Sequence, residues 1–395
     1  MINDKKVVIL SAKRTPIGKF LGAFSNITAP RLASYAIKSA IEESSIDKTD
    51  LDYAIIGNVL TGGIGQAPAR QALIYSGVSS DVSAITINKV CASGLMSVIL
   101  ASQMIKSGDM DLVLSGGMEN MSRSPHIIND SRTGSKIGNV VLEDSMIKDG
   151  LWCAFNDLSM GVLAEKTAGK FGVSRLDHDN YALRSHQKAI LAINKGKFNS
   201  EISPVILKNK NDTLEISCDE GPRKDTTLDK LEKLKSPFSK DGVATAGNSS
   251  QISDGSAALV LSDSAYASSK QLNPIAIIDD YSIVANNPAD LFEAPAKAVE
   301  KLLEKNNSKI EDIDLFEVNE AFAGQVLSNG KYLNWDWSKV NINGGAIALG
   351  HPIGASGARI LVTLIHALKN NSLTTGIAVL CHGGGGAVAI KVSIL

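Results

Sequence analysis

Short apolar runs separated by helical stretches mark the first part of the chain. Val7–Leu10, Tyr53–Ile56, Ala84–Ile87 and Leu112–Leu114 are of strand length and nearly continuously apolar, the pattern of buried strands. Between them, Leu32–Glu43 and Leu95–Lys106 carry apolar residues at three- and four-residue spacing, as amphipathic helices do. The alternation returns near the C-terminus. There Leu315–Val318, Ile377–Leu380 and Ala387–Val392 read as strands, and Ile360, Leu361, Leu364, Ile365 and Leu368 mark a helix. Strand-helix alternation of this kind predicts a layered α/β core.

The chain also repeats itself. Asp50-Leu51-Asp52-Tyr53, leading into an apolar run, returns 262 residues later as Asp312-Ile313-Asp314-Leu315. Ala92-Ser93-Gly94, opening a helix, returns after 263 as Ala355-Ser356-Gly357, and Val113-Leu114-Ser115 returns after 266 as Val379-Leu380-Cys381. Three matches in one order at nearly one spacing predict two similar halves, at 1–270 and 271–395. The first half is longer. Its excess falls at about 120–245, a more polar stretch that includes Asn209–Asp212 and Lys224–Lys240 and reads as an excursion from the core.

Composition narrows the classes. The 395 residues carry 40 Lys+Arg against 41 Asp+Glu, so nothing draws the chain to nucleic acid or to an anionic membrane surface. With 44% hydrophobic and 21% charged residues it is not a disordered chain. No uninterrupted apolar run reaches the roughly 18 residues of a spanning helix. Met1–Lys6 lacks the succession of a secretory signal, and the final Leu395 does not close a Ser-Lys-Leu address. Four cysteines, at 91, 153, 218 and 381, are too scattered for a zinc knuckle and too few to staple this length. The expectation is a globular protein of a reducing, cytoplasmic compartment.

Cys91 stands between a strand and a helix start, where the dipole and free N–H groups favour thiolate; a buried structural cysteine is the other reading. His351 sits among glycines in Gly344–Gly357, just before a helix, a place suited to acid-base work or to an ordinary loop histidine. The spacing Gly350-x3-Gly354-x2-Gly357 fits neither a dinucleotide fingerprint nor a P-loop. Cys381-His382-Gly383-Gly384-Gly385-Gly386 follows a strand and either frees N–H groups for an oxyanion or forms a tight turn. Because Cys381 occupies the duplicate position of Ser115, a pseudo-twofold axis would bring it near Cys91. Asn319 ends a strand and can hold a water or carbonyl, whereas Glu320 reads as a surface or salt-bridged carboxylate. His178 and His186, in a polar helix, His126 in a loop, and His366 on an apolar-striped helix carry no chemistry in this reading.

Taken together, Asn88–Gly94, Gly116–Ser122, Asn319–Ala323, Gly344–Arg359 and Cys381–Gly386 occur in the order and spacing of the thiolases. The resemblance runs from Arg14-Thr15-Pro16-Ile17-Gly18 to the final strand. It implies the duplicated thiolase fold: two βαβαβαββ halves in an α/β/α/β/α core, an inserted loop domain that binds coenzyme A, and a homodimer or homotetramer. It implies Cys91 as the nucleophile carrying an acyl thioester, His351 as its activating base and Cys381 as the acid/base at the substrate Cα. It also implies enolate stabilisation by His351 with a water held by Asn319, and a tetrahedral oxyanion held by the N–H groups of Cys91 and Gly383. Arg223, Ser250, Met160 and Phe322 match positions around the coenzyme and the acyl group. No metal or permanent cofactor is implied; acyl-CoA is the substrate.

Two departures stand out. Ser159-Met160-Gly161 occurs where acetoacetyl-CoA thiolases commonly have His-Met-Gly, and Gln251-Ile252-Ser253-Asp254 replaces a Gly-Leu-Asn-Asp type. The implied activity is acetyl-CoA C-acetyltransfer. Alternatives are a degradative 3-ketoacyl-CoA thiolase with longer chains, a decarboxylating synthase (disfavoured by Cys381 where a histidine is usual), and a non-catalytic acyl-CoA or lipid-binding protein.

Overall fold

The structure, a computed structural model, describes residues 5–208 and 213–395; Met1–Asp4 and Asn209–Asp212 lie outside the described residues. The first half contains β1 (Val7–Arg14), α1 (Ala29–Ser44), β2 (Tyr53–Gly57), α2 (Pro68–Ser76), β3 (Ser83–Ile87), α3 (Ser93–Ser107) and β4 (Leu112–Asn120). The excursion follows, with α4 (Met160–Lys170) and α5 (Arg175–Asn194), before β5 (Ser253–Asp263) completes the half. The second half contains β6 (Ala276–Ala285), α6 (Ala294–Lys305), β7 (Leu315–Val318), α7 (Ala323–Leu333), α8 (Ile353–Asn370), β8 (Thr375–His382) and β9 (Gly386–Ile394).

The main sheet runs β7-β8-β9-β6-β1-β5-β4-β2-β3. In the first half β1, β5 and β4 pair antiparallel, then β4, β2 and β3 parallel. In the second, β6, β9 and β8 pair antiparallel and β8 with β7 parallel; a parallel bridge from Phe316 to Val340 stands where β3 stands in the first. The shared pairing order is the duplication seen in the sequence.

Strand alternation sorts side chains into layers. Val7 and Ile9 of β1 enter the central core, while Val8 and Leu10 face α1 and α2. In β8, Ala378 and Leu380 face that same central core, and Ile377 and Val379 face α6 and α7. The order is therefore α1/α2, first half-sheet, α3/α8, second half-sheet, α6/α7, the five-layer core expected. Helix α8 is buried at every residue from Ile353 to Leu368 rather than along one stripe, because it lies between two sheets. The apolar Val90–Ser107 reaches a mean hydropathy of 1.3, enough by length and composition to cross a membrane, yet it includes α3 and lies largely in this inner layer.

Several expectations change. β3 is an edge strand, with Ser83 and Ile85 exposed, not a buried one. β5 and β6 escaped the sequence reading, since Ser253-Asp254-Gly255-Ser256 and Asp279-Asp280 interrupt their apolar runs. Nor is the excursion merely polar. Leu163 and Ala164 of α4 pack with Phe292 and Phe322, and Tyr181 and Ala182 of α5 pack with Val318 and Ala323. His178 and His186 are on the buried face of α5. Arg14, fully buried at the end of β1, binds Glu201 at 2.6 Å and Asp219 at 2.7 Å and so ties the excursion to the first half.

The repeated Ala-Ser-Gly has a spatial meaning. A Cβ on Gly94 would lie 2.7 Å from the Ala358 nitrogen, and one on Gly357 would lie 2.4 Å from the Leu95 nitrogen. The two helix starts cross symmetrically, each glycine against the residue following its counterpart. Gly357→Ala is expected to cost about 1–3 kcal/mol through forced displacement, read as a lower urea midpoint at unchanged slope. Gly169→Ala, where no atom of the described residues lies within 4 Å of the new Cβ, should leave the midpoint level or raise it.

Candidate active site

Cys91 is presented by a strained turn between β3 and α3. The preceding Val90 has φ +48°, the left-handed region that a β-branched residue rarely occupies. Local hydrogen bonds hold the turn: Val90 N–H donates to Asn88 Oδ1 (2.9 Å), Lys89 N–H to Ser93 Oγ (2.8 Å), and Ser93 Oγ to the Val90 carbonyl (2.7 Å). The backbone N–H groups of Gly383 and of Cys91 itself favour the thiolate electrostatically.

The sequence leaves Cys91 between a dipole-favoured thiolate and a buried cysteine. In the structure burial outweighs the two N–H groups, and the thiol is pushed up to about 11. Cys381, buried at the end of β8, is also pushed well up, by desolvation and by its neighbour Cys91.

His351 lies between Gly350, at φ +116°, and Pro352 at the start of α8. Burial, and next the charge of Arg359, pulls its imidazole down to about 3, so it is neutral. Ser356 Oγ donates to the Pro352 carbonyl at 2.9 Å and lies 2.5 Å from His351 Nδ1. With its only proton committed, Ser356 accepts from Nδ1–H, which assigns the tautomer and leaves the Nε2 lone pair available as a base. Asn319 Nδ2 is 3.4 Å from that Nε2, in keeping with this assignment. Its Oδ1 is buried with no partner among the described residues, so it can accept from a donor in the site.

Glu119 and Glu320 are fully buried. Glu119 accepts from Asn58 Nδ2 (2.7 Å) and from the N–H groups of Val59, Leu60 and Gly354, binding the β2 loop to the start of α8. Glu320, expected at the surface or in a salt bridge, instead accepts from Tyr181 (2.9 Å), Ser185 (2.7 Å), Asn341 (3.0 Å) and Ile347 N–H (3.1 Å). These donors compensate its burial and dock α5 on the Asn319 loop.

A cavity of about 890 Å³ brings Cys91, His351, Cys381 and Gly383 together with Met160, Arg223, Ser250 and Phe322. Asn319 joins through His351. Phe322 stacks edge-on with Phe238 (5.9 Å) and Phe292 (5.4 Å), giving an apolar wall. Arg223 is exposed at the mouth, and Ser250 is fixed by its N–H to the Ala321 carbonyl at 3.0 Å. Ser159 caps α4 by accepting from Val162 N–H at 3.4 Å and also lines the cavity. Sequence reasoning missed Ser356, although it belongs to the repeated Ala-Ser-Gly, and it gave Glu119 and Gln251 no role. Glu119 and Gln251 act through contacts with residues distant along the chain.

The family model for the thiolase N-terminal domain matches residues 7–265 and that for the thiolase C-terminal domain matches 272–394. A protein of Escherichia coli K12 described as "Probable acetyl-CoA acetyltransferase" is 48% identical over 98% of this chain and 99% of its own length. The acetyl-CoA acetyltransferase of Pseudomonas aeruginosa is 46% identical with the same coverage. The crystal structure of the Bacillus anthracis acetyl-CoA acetyltransferase superposes with a TM-score of 0.97 at 39% identity, covering 99% of both chains. Matched along both halves, and carrying the duplicated fold with its paired cysteines and histidine, the chain belongs to the thiolase family.

Proposed function

We propose that this protein is an acetyl-CoA C-acetyltransferase, catalysing the reversible condensation of two acetyl-CoA to acetoacetyl-CoA and coenzyme A. The observation that carries the reading is the meeting of Cys91, Cys381, Gly383 and a neutral His351 in one largely apolar cavity. The curated relatives of similar length bear that activity in their names.

In the first half-reaction Cys91 Sγ attacks the thioester carbonyl of acetyl-CoA while His351 Nε2 takes the thiol proton. The C–S bond to coenzyme A breaks, and the proton leaves with the coenzyme thiolate. The N–H groups of Cys91 and Gly383 are available to the tetrahedral oxyanion. In the second, the Cys381 thiol passes its proton to the neutral His351 imidazole and, as thiolate, removes a Cα proton from another acetyl-CoA. The resulting enolate, facing His351 and Asn319, attacks the acetyl carbon and releases Cys91 as thiolate, which takes the proton back from His351. In reverse, the high Cys381 thiol is the proton donor to the departing enolate. An apolar cavity end that acyl-CoA fills suits both steps, because water there would hydrolyse the thioester and weaken each hydrogen bond. The arm of the coenzyme is assigned to the mouth at Arg223 and Ser250, and the acyl end to the Met160 and Phe322 side.

The role of acyl chain length turns on Ser159, whose short side chain already serves as the α4 cap. A longer-chain 3-ketoacyl-CoA thiolase is the second reading. Association into dimers or tetramers is supported by the open edge of β3 and by exposed Ile137, Val141 and Phe155 on the excursion.

Three outcomes are expected. Cys91→Ser should lose the acetyl-enzyme adduct by mass spectrometry and at least about 10³-fold in turnover; undiminished function would identify a binding protein instead. Initial rates of coenzyme-A-dependent cleavage should peak at the four-carbon 3-ketoacyl-CoA, and a maximum at longer chains would establish the second reading. Because the resting thiol lies near 11 and the imidazole near 3, alkylation of Cys91 by iodoacetamide should rise about tenfold per pH unit from 6 to 9. A plateau beginning below pH 8 would reveal a preformed thiolate-imidazolium pair.

A further inference from the structure

The Gln251 side chain is the point where the mouth of the cavity meets its catalytic end. Its amide nitrogen lies 3.0 Å from the Gly221 carbonyl, 3.0 Å from that of Ile347 and 2.9 Å from that of Ala348. Three carbonyls converging on one group identify it as the donor end of the amide. The backbone of the same residue accepts the His351 N–H at 2.9 Å and the Ser253 hydroxyl at 2.8 Å. Gly221 packs directly against this assembly: a Cβ there would lie 2.4 Å from the Ala348 carbonyl oxygen. Two residues on, the Arg223 N–H donates to His186 Nδ1 at 3.1 Å. Burial, and next Arg223 itself, pulls that histidine down to about 4, so it stays an acceptor. The backbone carrying the exposed Arg223 side chain is thus pinned at two points, His186 on one side and Gln251 on the other.

We propose that Gln251 is a positioning residue for the coenzyme: its amide holds Gly221, and through it Arg223, on the turn that precedes His351. The effect is to keep the anion-binding mouth and the proton-transfer end in one register. The inference rests on the assignment of the coenzyme to the Arg223 side. It also explains the Gln251 departure, since a glycine here would supply the backbone acceptor for His351 but no clamp.

Gln251→Met keeps the volume and removes the donors, whereas Gln251→Glu keeps the shape and sets a carboxylate against three carbonyls. Both should raise KM for coenzyme A in the cleavage direction, by about tenfold for Met and more for Glu, with kcat within about twofold of wild type. Gly221→Ala disturbs the same contact from the other side and should reproduce the KM effect. Calorimetric titration of coenzyme A into the folded proteins should show the matching loss of affinity. A wild-type KM and affinity in both Gln251→Met and Gly221→Ala would overturn the proposal, as would a fall in kcat with KM unchanged. Wild-type protein that neither binds coenzyme A nor cleaves acetoacetyl-CoA would defeat the functional reading itself; active wild type with unaffected variants defeats only the role of Gln251.

Discussion

Helices α3 and α8 cross with their backbones so close that a Cβ on Gly357 would meet the Leu95 nitrogen at 2.4 Å and one on Gly94 would meet the Ala358 nitrogen at 2.7 Å. This contact sits on the pseudo-twofold between two half-sheets, and the positions of the reacting groups follow from it. Cys91 precedes one helix start and His351 the other, so bringing the helix starts together brings the thiol and the imidazole together. Leu95, Val98 and Ile99 of α3, with Ile360, Leu361 and Leu364 of α8, fill the layer between the sheets and make the crossing cooperative with the central core. The same serine in each repeat finishes the local geometry. Ser93 closes the Cys91 turn, and Ser356 holds the imidazole tautomer.

The second organising effect is desolvation. The cavity floor pushes both thiols up and the imidazole down, so the site rests uncharged and ionises only as substrate chemistry proceeds. That burial depends on the excursion, which covers the floor with Leu163 and Ala164 beside Phe292, Phe322 and Cys381. Two ties anchor that cover: the Arg14 pairs with Glu201 and Asp219, and the four donors around Glu320. Buried charge on this scale is tolerated because each carboxylate is fully hydrogen-bonded or paired.

The duplication was legible as spacing, because the same strand-turn-helix solution was used twice and its glycines have no substitute at the crossing. Cys91, His351 and Cys381 were legible for a related reason: each stands next to a strand or helix end in an unusual local setting. Glu119, Glu320 and Gln251 were not. A glutamate or glutamine shows no local sign of being buried among donors or carbonyls that the chain delivers from 20 to more than 200 residues away. The edge position of β3 was equally hidden, since an apolar run does not say how many neighbours its strand will have.

By itself the sequence determined the α/β alternation, the twofold repeat and the residue types for thioester chemistry, all of which depend on local pattern and spacing. Tertiary structure decided the protonation states, the tautomer of His351 and the closing of the cavity by the excursion. Those depend on how much water is excluded and which distant N–H groups arrive, and exclusion of water is a property of packed layers rather than of any segment of the chain.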